Sequence, residues 1–303
     1  MIVNPRSRNG ATGRRWRGLQ PRLHGPLGPF DVELTRGPRD AERIAREGVR
    51  AGVERVIVAG GDGTVNEVVT GLLSAGLGAR ANFGVLPLGT GGDFARSLGI
   101  PRRLDDALAL LAAGAVRRID AGRITYRDVA SRKAIAYFVN VASLGIGGLV
   151  DQLVNRTTKR LGGTASFLIG TMKALARYRN AHVTLRVDGE VVHDGPLILA
   201  AAANGRYFGG GMHVAPEARF DDGLLDVVII DDLPKRKLLA KLPLLYAGEH
   251  LSDPVCRFLR GRVIEADAVR GDVLLDVDGE SLGSLPARME VLPGALQVIG
   301  AAA

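Results

Sequence analysis

The sequence predicts two domains of different class. Residues 1–122 read as an α/β domain on a parallel sheet, and 123–294 as a largely antiparallel β-sandwich domain with a helical insertion. Three observations predict this. Short apolar runs alternate with helical patterns of about a dozen residues through the first third of the chain, as in a helix-covered parallel sheet. After residue 122 the runs become strand-like and follow one another mostly without helices between them. Two Asp-Gly pairs, at 188–189 and 278–279, sit between such runs as tight hairpin turns do.

The elements follow in order. Residues 1–3 form a strand stub that ends at Asn4-Pro5, and a loop at 6–10 leads into a basic, helical stretch through Arg22. Residues 30–35 alternate as a second strand, and 38–50 read as a helix with Pro38 near its first turn. The run at 56–59 is a third strand, and the helix after it has apolar residues at 65, 68, 69, 72 and 73. A fourth strand at 83–86 and an amphipathic helix at 104–113 come next, and 117–120 closes the region. Beyond it, 134–142, 182–187, 197–203, 224–230, 262–266, 273–277 and 287–292 read as strands, with a helical insertion at about 147–179.

Composition limits the function classes. Hydrophobic content of 46% with 24% charged residues is that of a globular chain. Forty basic against 32 acidic residues give +8, which favours anionic partners such as nucleotides or anionic lipid. The basic residues are not interleaved with an aromatic-rich platform, so nucleic acid is not expected as a partner. The single cysteine, Cys256, excludes an intramolecular disulfide and fits a reducing compartment. No apolar run reaches the ~18 residues of a spanning helix, and Arg14-Arg15 lacks the apolar segment of an export signal. The expectation is a cytoplasmic protein, at most peripheral to a membrane.

Two glycine loops carry the chemistry. Gly60-Gly61-Asp62-Gly63-Thr64 lies between the third strand and its helix, and Gly89-Thr90-Gly91-Gly92-Asp93 follows the fourth strand. Glycines let backbone approach a ligand closely, and a helix start favours an anion. Asp62 is out of place beside phosphate unless a cation or hydroxyl lies between them. The competing reading is a plain turn with Asp62 or Thr64 as N-cap. Both loops end strands of an α/β sheet, where ligands bind. Neither has the G-x-x-x-x-G-K-[ST] or G-x-G-x-x-G form.

Asn4-Pro5-x-Ser7, Gly60-Gly61-Asp62-Gly63-Thr64-x-Asn66-Glu67 and Pro87-Leu88-Gly89-Thr90-Gly91-x-Asp93-Phe94-Ala95-Arg96 resemble the diacylglycerol kinase catalytic-domain family. The match is to its soluble bacterial lipid kinases, which are similar to sphingosine kinases. Asn204-Gly205, Asp221-Asp222-Gly223-Leu224-Leu225-Asp226 and Asp278-Gly279-Glu280 continue the resemblance in the expected order. It implies ATP- and Mg²⁺-dependent phosphorylation of a lipid hydroxyl, diacylglycerol-like or sphingoid, at a membrane surface. It also implies that a last strand, within about 295–303, returns to the first domain.

By resemblance, Asn4, Thr35, Gly60, Gly61, Asp62, Gly63, Thr64, Asn66, Glu67 and Thr90 hold ATP. Asp62 acts through Mg²⁺ or a water, and Asp93 lies between nucleotide and acceptor. Glu280 is the general base, because the acceptor's proton must leave as the phosphoryl group arrives. Asp188-Gly189-Glu190 repeats the same tripeptide in an ordinary hairpin, so only family order selects Glu280. Asp222, with the carbonyls of Arg219 and Leu224, corresponds to a structural metal site.

The chain departs from the family at Gly92, where Asn is usual, and at Arg8-Asn9, which stand between Ser7 and Gly10. The segment 156–179 mixes basic and apolar residues, as a membrane-lying helix or a packed helix with a solvated edge does. Two alternatives remain at this stage: a NAD kinase-like phosphotransferase, and a non-catalytic lipid- or nucleotide-binding regulator.

Overall fold

The computed structural model describes residues 1–148, 180–269 and 271–300. The stretch 156–179 and nearly all of the expected helical insertion lie outside the described residues. The chain divides into two compact units, Met1–Ile119 with Gly294–Ala303, and Asp120–Pro293.

The first unit alternates strand and helix. Its elements are β1 (Ile2–Val3), α1 (Ala11–Leu27), β2 (Glu33–Leu34), α2 (Asp40–Arg50), β3 (Arg55–Gly60), α3 (Asp62–Leu73), β4 (Asn82–Pro87), α4 (Asp93–Ser97) and α5 (Leu104–Ala113). The strands pair in parallel in the order β4-β3-β1-β2. Val56 to Ala59 are all buried, as expected of a strand covered on both faces. Helix α1 packs with α5, and α2 with α3. The second strand is two residues long rather than the six expected, because its one partner among the described residues, β1, offers two: Ile2↔Glu33 and Val3↔Leu34. Helix α1 runs on to Leu27, past Pro21 and Pro26, held by the buried Trp16 and Leu23 one heptad apart.

In the second unit the strands pair antiparallel. They are β5 (Val116–Asp128), which enters from the first unit, β6 (Lys133–Phe138), β7 (Val141–Gly145), β8 (Ala181–Val187), β9 (Glu190–Ala203) and β10 (Leu225–Asp231). Helix α6 (Lys235–Ala247) separates these from β11 (Cys256–Gly261), β12 (Val263–Ala268), β13 (Leu274–Val277) and β14 (Glu280–Ile299). Strand β14 pairs with β13 at its start, and at its end Gln297 to Ile299 run parallel to β4 in the first unit. Ile124, Phe138, Leu144, Leu185, Leu197 and Leu275 form the heart of one apolar core.

Three expectations need correction. The single strand read at 134–142 is two, because the Asp278 carboxylate takes the N–H groups of Val139, Asn140 and Val141 out of the ladder. Residues 117–120 do not close a region but open the long β5. Helix α6 carries Pro243 inside it, which hid it from a reading by helical pattern.

Among the described residues no helix is long and apolar enough to cross a membrane. Cys256 is half-buried, and burial pushes its thiol up to about 11. A rise from 9.0 to about 11 cuts the thiolate fraction roughly a hundredfold at pH 8. Alkylation by iodoacetamide at that pH is expected to be slower by about this factor in the folded protein than in urea. Equal rates would mean that the thiol is not shielded.

Candidate active site

In the first unit, each loop that follows a parallel strand carries a residue of the expected set. Asn4 follows β1, Thr35 follows β2, Gly61 follows β3, and Thr90 lies in the loop after β4. Carboxyl ends of parallel strands are where α/β sheets bind ligands. The backbone N–H of Thr35 donates to the Val3 carbonyl (2.9 Å), which fixes this buried threonine one strand over from Asn4.

Side chains then tie the loops to one another. The Asn4 amide Nδ2 donates to Thr64 Oγ1 (2.9 Å), joining the first loop to α3. The Ser7 hydroxyl lies 2.6 Å from the Thr12 hydroxyl, which donates to the Leu88 carbonyl at 3.3 Å. The Leu88 N–H in turn donates to the Gly60 carbonyl (3.1 Å). Gly61 and Gly89 meet backbone to backbone. A Cβ on Gly89 would stand 2.4 Å from Gly61 Cα and 3.1 Å from Gly61 N, so only glycine fits that approach.

The sequence offered Asp62 a cation, a hydroxyl or a water as partner, and the structure gives it two backbone N–H groups. Asp62 is the first residue of α3, yet it does not cap its own helix. Its Oδ2 accepts the Gly92 N–H (2.7 Å) and its Oδ1 the Phe94 N–H (3.1 Å), both in the second glycine loop and the short helix after it. The carboxylate thus fastens one loop to the other. This geometry also accounts for Gly92. Its φ is +71°, the left-handed region that Gly and Asn visit most readily, so the two residues are interchangeable there in backbone terms. Asp93 is buried and accepts from Arg96 Nη1 at 3.1 Å.

Not every expected residue joins this cluster. Glu67 turns its Oε2 to the Ala41 N–H in the first turn of α2 (3.1 Å), and burial raises its pKa against that hydrogen bond. Thr90 is exposed, and its carbonyl lies 3.5 Å from Arg102 Nη2. Asn66 is half-buried in α3, and Gly63 is exposed in its first turn.

Glu280, Arg219, Asp222 and Leu224 belong to the second unit. Glu280 is exposed and begins β14, directly after the Asp278-Gly279 turn. Both turn residues have positive φ, +50° and +86°, and Asp188-Gly189 repeats this at +50° and +91°. Turn geometry alone therefore does not separate Glu280 from Glu190. Nor do the Asp carboxylates: Asp188 accepts the Arg262 and Val263 N–H groups, each at 2.9 Å, and Asp278 accepts those of Val139, Asn140 and Val141 at 2.9–3.0 Å. What differs is the residue under the Asp278-Gly279 turn. Beneath it the buried Asp276 accepts the Gly279 N–H (2.8 Å) and lies 3.3 Å from the Ser143 hydroxyl. At the equivalent position of the other hairpin stands Arg186. Sequence reasoning missed Asp276. Its signal was a carboxylate interrupting the apolar run Leu274-Leu275-Asp276-Val277.

At 219–224 the turn closes on itself. Asp222 Oδ1 accepts the Leu224 N–H (3.1 Å), and the buried Asp120 Oδ2 accepts the Gly223 N–H (2.7 Å). One carboxylate and the carbonyls of Arg219 and Leu224 are oxygen donors of the kind a hard cation takes. Among the described residues, no group of three or more His, Cys, Asp or Glu side chains is gathered as a metal site.

Residues 1–124 match the diacylglycerol kinase catalytic domain, and 140–300 match the YegS C-terminal NAD kinase beta sandwich-like domain. The chain belongs to this lipid kinase family. Among its relatives, the "Probable lipid kinase YegS-like" of Chromohalobacter salexigens is 36% identical over 267 residues, covering 88% of this chain and 82% of that one. "Probable lipid kinase YegS" of Salmonella schwarzengrund is 34% identical over 270 residues, covering 88% and 84%. A diacylglycerol kinase structure from Bacillus anthracis superposes with a TM-score of 0.72 at 22% identity, over 99% of this chain and 95% of that one. Yeast NADH kinase complexed with NADH follows at 0.52 and 14%, over 98% and 82%. The last two likenesses are of fold alone.

Proposed function

We propose that the protein is an ATP- and Mg²⁺-dependent lipid kinase that phosphorylates a lipid hydroxyl at the cytoplasmic face of a membrane. The observation that carries this reading is the cross-tied pair of glycine loops. Gly61 meets Gly89 with no side chain between them, and Asp62 locks the arrangement. Loops packed backbone to backbone carry no side chains over their N–H groups, which suits phosphate oxygens that need close backbone donors.

The nucleotide phosphates lie against the backbone from Gly60 to Thr64, beside Asn4, Thr35 and Thr90. The N–H groups of Thr64 and Val65 are taken by the Gly61 carbonyl, and those of Asp62 and Gly63, ahead of the first helical hydrogen bonds, donate to the phosphate. Asp62 has spare lone pairs beyond its two hydrogen bonds, and one or two carboxylates with water and phosphate oxygens suffice for Mg²⁺. Bound Mg²⁺ supplies neutralisation of the β- and γ-phosphate charge. Asp93, held by Arg96, orients the acceptor. Glu280 takes the proton of the acceptor hydroxyl as its oxygen bonds to the γ-phosphorus and the bond to ADP breaks. Asp222 with the Arg219 and Leu224 carbonyls holds a structural cation, which elemental analysis of the desalted protein and of Asp222→Ala checks.

The test is transfer from γ-labelled ATP into a panel of diacylglycerol, monoacylglycerol, sphingoid base and phosphatidylglycerol, with NAD alongside. Label in one lipid class is expected. Label in NAD alone would favour a NAD kinase reaction, and ATP binding with no transfer would favour a regulator.

A further inference from the structure

A cavity of about 370 Å³ lies where α1 approaches α5 and the end of β4. It shares no lining residue with the set expected to hold ATP. Four arginines ring it: Arg8, Arg15, Arg22 and Arg102. Among the described residues that line it none is acidic. Arg22 is paired with Asp105 at 3.0 Å, with both side chains largely exposed, and Arg8 and Arg15 have no ion-pair partner among the described residues. The floor is apolar, from Leu19, Leu88 and Leu104.

The placement of this charge works against the helix that bears it. Helix α1 has Arg14 and Arg15 in its first turns and no acidic residue along its length. Basic side chains at a helix N-terminus oppose the macrodipole, which favours anions there. Arg8, Arg15 and Arg22 recur at a spacing of seven, so Arg15 and Arg22 share one face of α1, with Ala11 and Leu19 between and before them. A guanidinium fork matches a phosphate in geometry and charge, and several around one apolar cavity make a site for a group that is anionic at one end only. The volume is that of a small-ligand pocket.

We infer that this cavity binds the phosphate of an anionic amphiphile, with the phosphate among Arg8, Arg15, Arg22 and Arg102 and the apolar body on Leu19, Leu88 and Leu104. The inference stands apart from the kinase reading, since its test reads binding and not turnover.

The experiment is calorimetric titration of the full chain with dihexanoyl phosphatidate below its micelle concentration. Inorganic phosphate and ADP are titrated in parallel. Phosphatidate is expected to bind wild type, and to bind Arg15→Gln and Arg102→Gln about tenfold more weakly each, one charge-assisted contact being lost. Arg17→Gln, on the same helix but outside the lining, is expected to match wild type. Inorganic phosphate, lacking an apolar body, is expected to bind at least tenfold more weakly than phosphatidate. Unchanged affinity in the Arg15 and Arg102 variants would overturn the inference, because the ligand would then sit elsewhere, a product site included. Equal loss in Arg17→Gln would reduce the effect to diffuse charge and also overturn it. So would phosphate binding as tightly as phosphatidate, or ADP affinity falling along with phosphatidate affinity in the Arg15 and Arg102 variants, since the cavity would then be part of the nucleotide site.

Discussion

Asp62→Ala is expected to cost both stability and transfer. The substitution removes the acceptor of the Gly92 and Phe94 N–H groups, held at 2.7 and 3.1 Å, and leaves those donors half-buried without it. Hydrogen bonds to a charged group are worth about 1.5–3 kcal/mol each, so a loss of roughly 3 kcal/mol is expected in chemical denaturation. Transfer is expected to fall on the order of a hundredfold or more, because the second glycine loop and Asp93 lose their fixed position. Asp62→Asn keeps one acceptor oxygen and is expected to recover part of the stability but little of the transfer. If Asp62→Ala unfolded at the wild-type denaturant midpoint, the carboxylate would not be the tie that the geometry implies.

Gly89→Ala tests the cradle itself. The new methyl would stand 2.4 Å from Gly61 Cα, a backbone atom that cannot rotate away. The two loops must separate, at a cost of about 1–3 kcal/mol for overpacking and a loss of ATP affinity of at least about tenfold. Gly25→Ala is the control. A Cβ there meets nothing within 4 Å, and the residue lies inside α1, so unchanged or slightly raised stability and unchanged ATP affinity are expected. ATP affinity in Gly89→Ala equal to that of the control would separate the Gly61–Gly89 contact from nucleotide binding.

Much of the first unit was legible because its signals are local. A buried run such as Val56 to Ala59, a glycine turn and the apolar spacing of 65, 68, 69, 72 and 73 each need only neighbouring residues to be read. The two Asp-Gly hairpins were legible for the same reason. What stayed hidden depends on residues far apart in the chain. Asp62 reaches Gly92 and Phe94 thirty residues on, and Asp278 reaches back to Val139, so neither the tie between the loops nor the break between β6 and β7 has a local signature. Helix α6 was missed because Pro243 breaks the pattern that tertiary packing of Leu238 and Leu245 restores. In the candidate site, the residue types at the strand ends were visible, but not that Glu67 turns to α2. The arginines of α1 were visible as charge without the cavity that gathers them.

The central claim is phosphoryl transfer from ATP to a lipid hydroxyl with Glu280 as the base. The most direct measurement is label transfer from γ-labelled ATP into the accepted lipid by wild type, Glu280→Gln and Glu190→Gln, with ATP affinity measured on the same preparations. Loss of a general base costs roughly 10²–10⁴-fold, so Glu280→Gln is expected to lose transfer by that factor while binding ATP as wild type does. Glu190→Gln, in the hairpin that lacks a counterpart of Asp276, is expected to retain it. Transfer surviving in Glu280→Gln, or lost equally in both variants, would contradict the assignment.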